Sequence, residues 1–124
     1  GDAWSEGQAN YRAEFVARDP KDALTQILLG MGSLAGAELA GERLTVAFET
    51  REQEDEHSCF SDNTHNDLLT NILGIQDVYL GRSGNETGPS LSGLVARLDA
   101  DLDADVRARL QTAVDAIAAI PAPF

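Results

Sequence analysis

The sequence contains a single cysteine, Cys59, among its 124 residues. The chain therefore forms no intrachain disulfide and carries no signature of an oxidising compartment. A nucleophilic cysteine needs a nearby cation to stabilise its thiolate, whereas Cys59 follows the acidic run Glu52 to Glu56. A cysteine hydrolase is not expected, and the side chain is interpreted as a buried anchor beside Phe60.

Basic residues are also scarce. Nine Lys and Arg face 21 Asp and Glu, which gives a formal net charge of −12. This charge repels nucleic acid phosphates and anionic membrane surfaces, so we expect no nucleic acid partner. It favours cationic partners, including metal ions, although an acidic surface also serves solubility.

Long apolar runs are missing from the sequence. No stretch has the roughly 20 apolar residues of a membrane span, which predicts that the chain has no transmembrane segment. The first residues, Gly1 to Trp4, lack the charged and apolar regions of a signal peptide. From these features alone, the chain is either cytoplasmic or already processed.

The pattern that is present is helical. Asp19 and Pro20 form a strong helix start, and apolar residues then recur near helical spacing as far as Glu49. Glycines at positions 30, 32, 36 and 41 indicate close helix packing, a kink or a ligand near the backbone. In an α-helix, Glu38 and Glu42 would share a face, followed by Arg43.

Three further helices are predicted after a polar loop from Thr50 to Asn63. One begins at Thr64, with Asp67 reaching back as in a capping box, and ends near Gly81. Ser90 caps a short helix, and Asp101 or Asp103 starts a last one that stops at Pro121. With no strand pattern, the fold class is all-α: a small bundle of about four helices over 19–124, after an N-terminal extension over 1–18 that is partly helical around Tyr11, Phe15 and Val16.

The densest group of reactive side chains lies between Glu52 and His65. These fourteen positions hold both histidines, His57 and His65, together with several carboxylates. Imidazole and carboxylate ligands suit iron(II) and zinc, and two histidines with one acid would form an open site. The helical spacing of a zinc protease is absent, since the histidines are eight residues apart. Alternatively, the segment is a rigid loop whose acids stay hydrated.

Serine chemistry finds less support in the sequence. Ser58 and Ser61 lie near the histidines along the chain, but no nucleophile elbow surrounds them. A catalytic triad is therefore not predicted.

The run from Glu54 to His65 resembles the signature of the imelysin-like family, also called iron-regulated protein A or insulin-cleaving metallopeptidase-like. Its residues here are Glu54-Asp55-Glu56-His57-Ser58-Cys59-Phe60-Ser61-Asp62-Asn63-Thr64-His65. The segment Leu28 to Arg43 is similar to the family's glycine-rich helix, and Pro121 to Phe124 resembles its usual continuation. The resemblance extends from about Ala23 onward, and it implies one half of a fold built from two helical bundles, the C-terminal half.

The resemblance implies a secreted or lipid-anchored protein of the bacterial envelope or periplasm, linked to iron uptake. The family's metal motif, Gly-x-His-x-x-Glu, belongs to the other half and does not occur here, because neither His57 nor His65 has Gly two residues before it and Glu three after it. What carries over is one wall of a site between bundles. This wall comprises two sets of residues. The ligand-binding residues are Glu38, Arg43, Ser58 and Asp62, and the candidate metal ligands are His57 and His65.

Three interpretations of function remain open at the sequence level. The first is a binding module for iron acquisition, whose cofactor or ligand is iron, zinc or a small iron-linked molecule. Its partner is the missing N-terminal bundle or a second copy of the chain. The others are a fragment of a metallopeptidase and a structural half-domain without a site. Enzymatic activity is the less favoured reading, since neither an activated water nor a general base is evident.

Overall fold

The computed structural model describes residues 2–121 and divides the chain into two compact units, Gly1–Ser33 and Leu34–Phe124. We describe each unit by itself. The sequence-based division into an extension and a bundle at residue 19 stays a prediction.

The first unit contains a 3₁₀ turn, Asp2–Trp4, and two helices, α1 (Tyr11–Val16) and α2 (Pro20–Ser33). The predicted start of the long helix is confirmed, because Oδ1 of Asp19 accepts a hydrogen bond from the Lys21 N–H at 2.9 Å. Helix α1 confirms the short helix expected before Asp19. In α1, the ring of Tyr11 packs edge to face against the ring of Trp4, and the two centroids are 5.1 Å apart.

The second unit contains most of the fold. It begins with a π-helix (Leu34–Thr45) and α3 (Val46–Thr50), followed by a 3₁₀ turn (Gln53–Asp55) in the loop. The remaining elements are α4 (Thr64–Leu80), β1 (Arg82–Ser83), β2 (Glu86–Thr87), α5 (Leu91–Leu98) and α6 (Ala100–Ala118). The all-α fold class is confirmed.

Helix α4 carries the core of this unit. It packs against α5, α6 and the π-helix. Its buried apolar residues follow spacings of four, three and four, which place them on one helical face: Leu68, Ile72, Ile75 and Tyr79. Leu39, Ala47, Leu91 and Ile117 complete the buried apolar set from the neighbouring helices. These residues therefore form the core face of α4.

The π-helix is the main departure from the predicted α-helix. Hydrogen bonding from residue i to i+5 widens the helix and brings residues five apart into register. Glu38 accordingly pairs with Arg43, five residues on, at 3.1 Å. The expectation that Glu38 and Glu42 share a face of this helix stays a prediction.

Close packing does not explain the glycines of this segment. A Cβ added at Gly30, Gly32 or Gly36 would meet nothing within 4 Å among the described residues. At Gly41 it would lie 3.4 Å from the Gly36 carbonyl oxygen, which is ordinary contact. Of the expected reasons for the glycines, close helix packing is therefore wrong at these positions.

Three helix boundaries in the second half follow the sequence closely. Helix α4 begins at Thr64 and ends before Gly81, which adopts the left-handed conformation with φ 65°. A Cβ at Gly81 would lie 2.7 Å from the Pro89 carbonyl oxygen, so only glycine fits there. Ser90 caps α5 as predicted, its Oγ accepting from the Gly93 N–H at 3.0 Å.

Two other expectations for this half were wrong. Asp99 caps α6, accepting from the Leu102 N–H at 2.9 Å, in place of Asp101 or Asp103. Asp103 is buried instead, because its carboxylate serves contacts between helices. The glycine-rich connection forms a small antiparallel hairpin, with Arg82 opposite Thr87, where no strand was expected.

Among residues 2–121, one helical stretch has the length and composition of a membrane span. Pro20–Thr50, 31 residues long, is apolar enough to cross a membrane by length and composition. This is a weak indication, because the core helix of a soluble protein and a signal sequence pass the same test. The expected absence of a transmembrane segment stays a prediction.

Candidate functional site

The carboxylate of Asp67, in the first turn of α4, is the centre of the signature segment. Its Oδ2 lies 2.9 Å from Nδ1 of His57 and accepts a hydrogen bond from the Ser58 hydroxyl. Its Oδ1 accepts from the Asn63 amide at 2.9 Å. The loop before α4 therefore folds back so that three of its side chains converge on one carboxylate.

Thr64 fastens the same loop to the helix. Its side chain is 1% exposed, and its Oγ1 accepts a hydrogen bond from the Ser58 N–H at 3.2 Å. The residue at the N-cap is Asn63, which makes no side-chain capping bond. The expected capping box was wrong, because Thr64 and Asp67 both bind the loop instead of the free amides of the helix.

Hydrogen bonding keeps Asp67 ionised. The hydroxyl of Ser58 is the largest cause that lowers the pKa of the Asp67 carboxyl from its ordinary value of 3.8, followed by the hydrogen bond from His57. Partial burial acts in the opposite direction and is outweighed. At neutral pH this position is a negative charge facing an imidazole.

Ser58, His57 and Asp67 do not form a catalytic triad. In a triad, the serine meets one ring nitrogen of histidine while the carboxylate meets the other. Here Ser58 Oγ lies 3.5 Å from Nδ1 of His57, which is the same nitrogen that faces Asp67. The Ser58 hydroxyl donates its hydrogen bond to the carboxylate of Asp67. The arrangement therefore does not activate Ser58 as a nucleophile.

The contact with Asp67 does set the chemistry of His57. When Nδ1 of a neutral imidazole donates to a carboxylate, the lone pair resides on Nε2. Histidines that bind metals characteristically donate their other ring N–H to a carboxylate in this way. The His57 side chain is 37% exposed, so its imidazole suits one ligand position of a metal site.

The structure does not gather the predicted metal ligands into one group. His65 is half-buried in the first turn of α4, and no hydrogen bond joins it to His57 or Asp67 within residues 2–121. Over the same residues, no three His, Cys, Asp or Glu side chains are placed to hold a metal ion together. A complete metal site is thus not formed by the described part of this chain, and the assignment of His57 and His65 stays a prediction.

The predicted ligand-binding residues lie in separate contacts. Glu38 and Arg43 pair with each other on the π-helix. Asp62 lies in the exposed loop, where its Oδ1 is 3.4 Å from the Gln53 amide nitrogen. Arg43 and Asp62 do not pair with each other, because each has a different partner. We call Asp67 with its partners His57, Ser58 and Asn63 the Asp67 cluster. Of the four predicted ligand-binding residues, Ser58 is the one that belongs to it.

A cleft of about 690 Å³ opens beside the signature segment. Three carboxylates and one guanidinium line it, together with apolar side chains that include Phe48, which is 75% exposed. We call it the acidic cleft, and its charged lining residues are Arg51, Glu52, Glu56 and Asp62. Its size is that of an ordinary small-molecule site, and its charge favours a cationic ligand.

Two strained residues line the acidic cleft. Arg51 has φ 57° and Asp62 has φ 49°, and they are the non-glycine residues with positive φ in the described chain. This conformation is costly for residues with a Cβ and tends to concentrate at functional sites. Arg51 also ends α3 at its left-handed cap, so part of the strain has a structural use.

Asp67 was not predicted as a site residue, and the acidic cleft was not predicted either. Asp67 was interpreted only as a cap, although its position three residues after Thr64 does place it where the loop returns. Phe60, by contrast, was expected beside a buried anchor, and its side chain is fully exposed at 101%. Cys59 itself is half-buried.

Comparison with protein families agrees with the resemblance seen in the sequence. The family model for imelysin, Peptidase_M75, matches residues 1–124. The match includes the first 22 residues, which the resemblance had left out. A comparison with curated proteins finds no match. On the strength of the family match over the full sequence given, the chain belongs to the imelysin family.

Proposed function

We propose that this chain is a binding module of the bacterial envelope that takes part in iron uptake. It supplies one wall of a metal or ligand site and does not complete that site alone. Membership of the imelysin family supports the general role. The single observation that supports the wall is the contact of 2.9 Å between His57 Nδ1 and Asp67 Oδ2.

The contact matters because a carboxylate behind an imidazole fixes the orientation and the tautomer of the ring. Removing such a carboxylate typically costs about 10- to 100-fold in metal affinity. Ser58 and Asn63 hold Asp67 in turn, so the support for His57 is itself ordered. In this proposal Ser58 acts through Asp67 and does not touch the ligand.

The rest of the metal site must come from elsewhere. Iron(II) and zinc are held by three or more protein ligands, and residues 2–121 do not assemble such a group. The missing N-terminal bundle or a second copy of the chain would supply the other ligands. Glu52, Glu56 and Asp62 would raise the local concentration of cations near this wall.

The experiment is a titration of the chelator-stripped chain, labelled at its histidine rings, with Zn(II) and with Fe(II) under anaerobic conditions, followed by NMR. We expect the His57 ring resonances to respond with weak affinity, and Asp67→Asn to weaken that response about 10- to 100-fold. Asp105→Asn is the matched control, because Asp105 is also a paired carboxylate but lies on α6, where its partner is Arg109. The proposal would be overturned if both variants bound the metals with equal affinity, or if neither metal changed the His57 ring resonances.

A structural half-domain is the second candidate, and the Asp67 cluster also gives it support. The contacts of Asp67 with His57, Ser58 and Asn63 close the loop onto α4 whether or not a metal binds. For this candidate, Asp67→Asn lowers the melting temperature while metals leave the His57 resonances unchanged. A metallopeptidase fragment would instead show peptide hydrolysis that a chelator stops.

A further inference from the structure

A second cleft, of about 310 Å³, lies between α4, the start of the hairpin and α6. Both of its charged lining residues are arginines, Arg82 and Arg107. The acidic cleft has three carboxylates in its lining, whereas this one has none. In a chain with nine basic residues against 21 acidic ones, two arginines facing one cleft without an acid is a distinct local reversal of charge.

The guanidinium of Arg107 has donors available for a ligand. Its nearest carboxylate oxygen, Oδ2 of Asp103, is 3.9 Å away, which is beyond hydrogen-bond distance. The other oxygen of Asp103 already accepts from the hydroxyls of Tyr79 and Ser92. By contrast, Nε of Arg109 already donates a hydrogen bond to Asp105 at 2.8 Å. Arg107 therefore lines the cleft with its charge only partly balanced.

Arg82 has no partner among residues 2–121 that would explain its place. It forms neither an ion pair nor a side-chain hydrogen bond in that part of the chain. A cation just after a helix often caps the last carbonyl groups. Here the Gly81 N–H takes that role, because it bonds the carbonyl oxygens of Asp77 and Val78. The guanidinium of Arg82 is thus not needed to cap the C-terminus of α4.

Two glutamines contribute ordered amides to the same cleft. Gln76 is 8% exposed, and its amide nitrogen donates to Oε1 of Gln111 at 3.3 Å. Gln111 donates in turn to Asp115 at 2.8 Å. These contacts fix the amides on facing helices, while Leu80 and Leu110 add apolar lining. The cleft combines two cations with positioned neutral polar groups, as small-ligand sites do.

We propose that this cleft binds a small oxyanion, bearing carboxylate or phosphate groups, between Arg82 and Arg107. The planar guanidinium fork matches both kinds of anion through paired N–H donors. A volume of about 310 Å³ suits a small anion and excludes a macromolecule. The site is separate from the signature segment and does not depend on the proposed metal wall.

The test is isothermal titration of the intact chain with inorganic phosphate and, separately, with citrate as the carboxylate probe. We expect binding of one or both, weakened at least about tenfold by Arg82→Ala and by Arg107→Gln. Arg97→Ala is the matched control, since Arg97 is an exposed arginine on α5 outside this cleft. The preference between the two probes distinguishes a phosphate ligand from a carboxylate ligand.

Arg82→Lys separates charge from geometry. Lysine keeps the charge but lacks the fork, so we expect affinity between those of the intact chain and Arg82→Ala. Circular dichroism and melting curves test whether each variant is folded, and we expect substitutions at Arg82 to keep the fold because Arg82 is exposed in the hairpin. The proposal is overturned if neither anion binds up to about 10 mM, or if Arg97→Ala weakens binding as much as Arg82→Ala.

Discussion

The phenol of Tyr79 on α4 donates a hydrogen bond to Oδ1 of Asp103 on α6, at 2.9 Å. Both residues are nearly buried, 3% and 6% exposed. The hydroxyl of Ser92 on α5 donates to the same oxygen at 2.6 Å. One carboxylate thus joins α4, α5 and α6, and its charge is compensated by hydroxyl donors and the nearby Arg107.

The first prediction concerns the hydroxyl of Tyr79. Tyr79→Phe keeps the buried ring and removes one donor from a buried acceptor, so we expect the free energy of unfolding to fall by about 1 to 3 kcal/mol. Urea denaturation followed by circular dichroism measures the change. Tyr11→Phe is the control, because Tyr11 is 43% exposed, and it should change stability by much less. Equal effects of the two substitutions would contradict the role given to the Asp103 contact.

The second prediction concerns alkaline pH. Burial raises the pKa of Tyr79 from 10.0 to about 12, with the hydrogen bond to Asp103 as the next cause. The folded state therefore keeps a proton that the unfolded chain loses near pH 10. The stabilisation is complete below pH 10 and declines as the pH rises from 10 toward 12. Unfolding free energies measured across this range should fall less steeply for Tyr79→Phe than for the intact chain.

The third prediction concerns acid. Hydrogen bonds from Ser58 and His57 lower the pKa of Asp67, and the hydroxyl of Ser92 lowers that of Asp103, in each case against an opposing effect of burial. The stabilisation from both groups is present above their ordinary pKa of 3.8 and is lost as the pH falls through the lowered values. Asp67→Asn should flatten the fall in stability below pH 4, as measured by urea denaturation. An unchanged slope would show that Asp67 has the same pKa in the folded and unfolded chain.

The fourth prediction separates backbone conformation from steric contact at two glycines. Gly81 and Gly84 both have positive φ, but only Gly81 would place a Cβ against backbone, 2.7 Å from the Pro89 carbonyl oxygen. We expect Gly84→Ala to cost about 1 to 2 kcal/mol for its left-handed conformation, and Gly81→Ala to cost clearly more. Melting temperatures of the two variants test the order, and a Gly84→Ala variant that is equally unstable would contradict it.

Local signals in the sequence located most of the helices. Asp19 with Pro20, Ser90 and Gly81 act on their nearest neighbours, so their effect can be inferred without knowing the rest of the fold. The apolar residues at helical spacing after Pro20 indicated the long helix for the same reason. The signature from Glu54 to His65 also led to the correct family, and it contains the three side chains that contact Asp67 as well as Thr64, which binds the loop.

What the sequence determined by itself is therefore the all-α class, the main helix boundaries and the family, because these depend on residues close together along the chain. The tertiary fold makes Asp103 a buried junction, brings Asp67 to His57, and places Arg82 and Arg107 in the lining of one cleft. These relationships join different helices or a loop and a helix, and sequence spacing does not encode distances across them. The π-helix belongs to the same group, because the apolar spacing predicted an α-helix there, whereas in the structure Glu38 pairs with Arg43, five residues on.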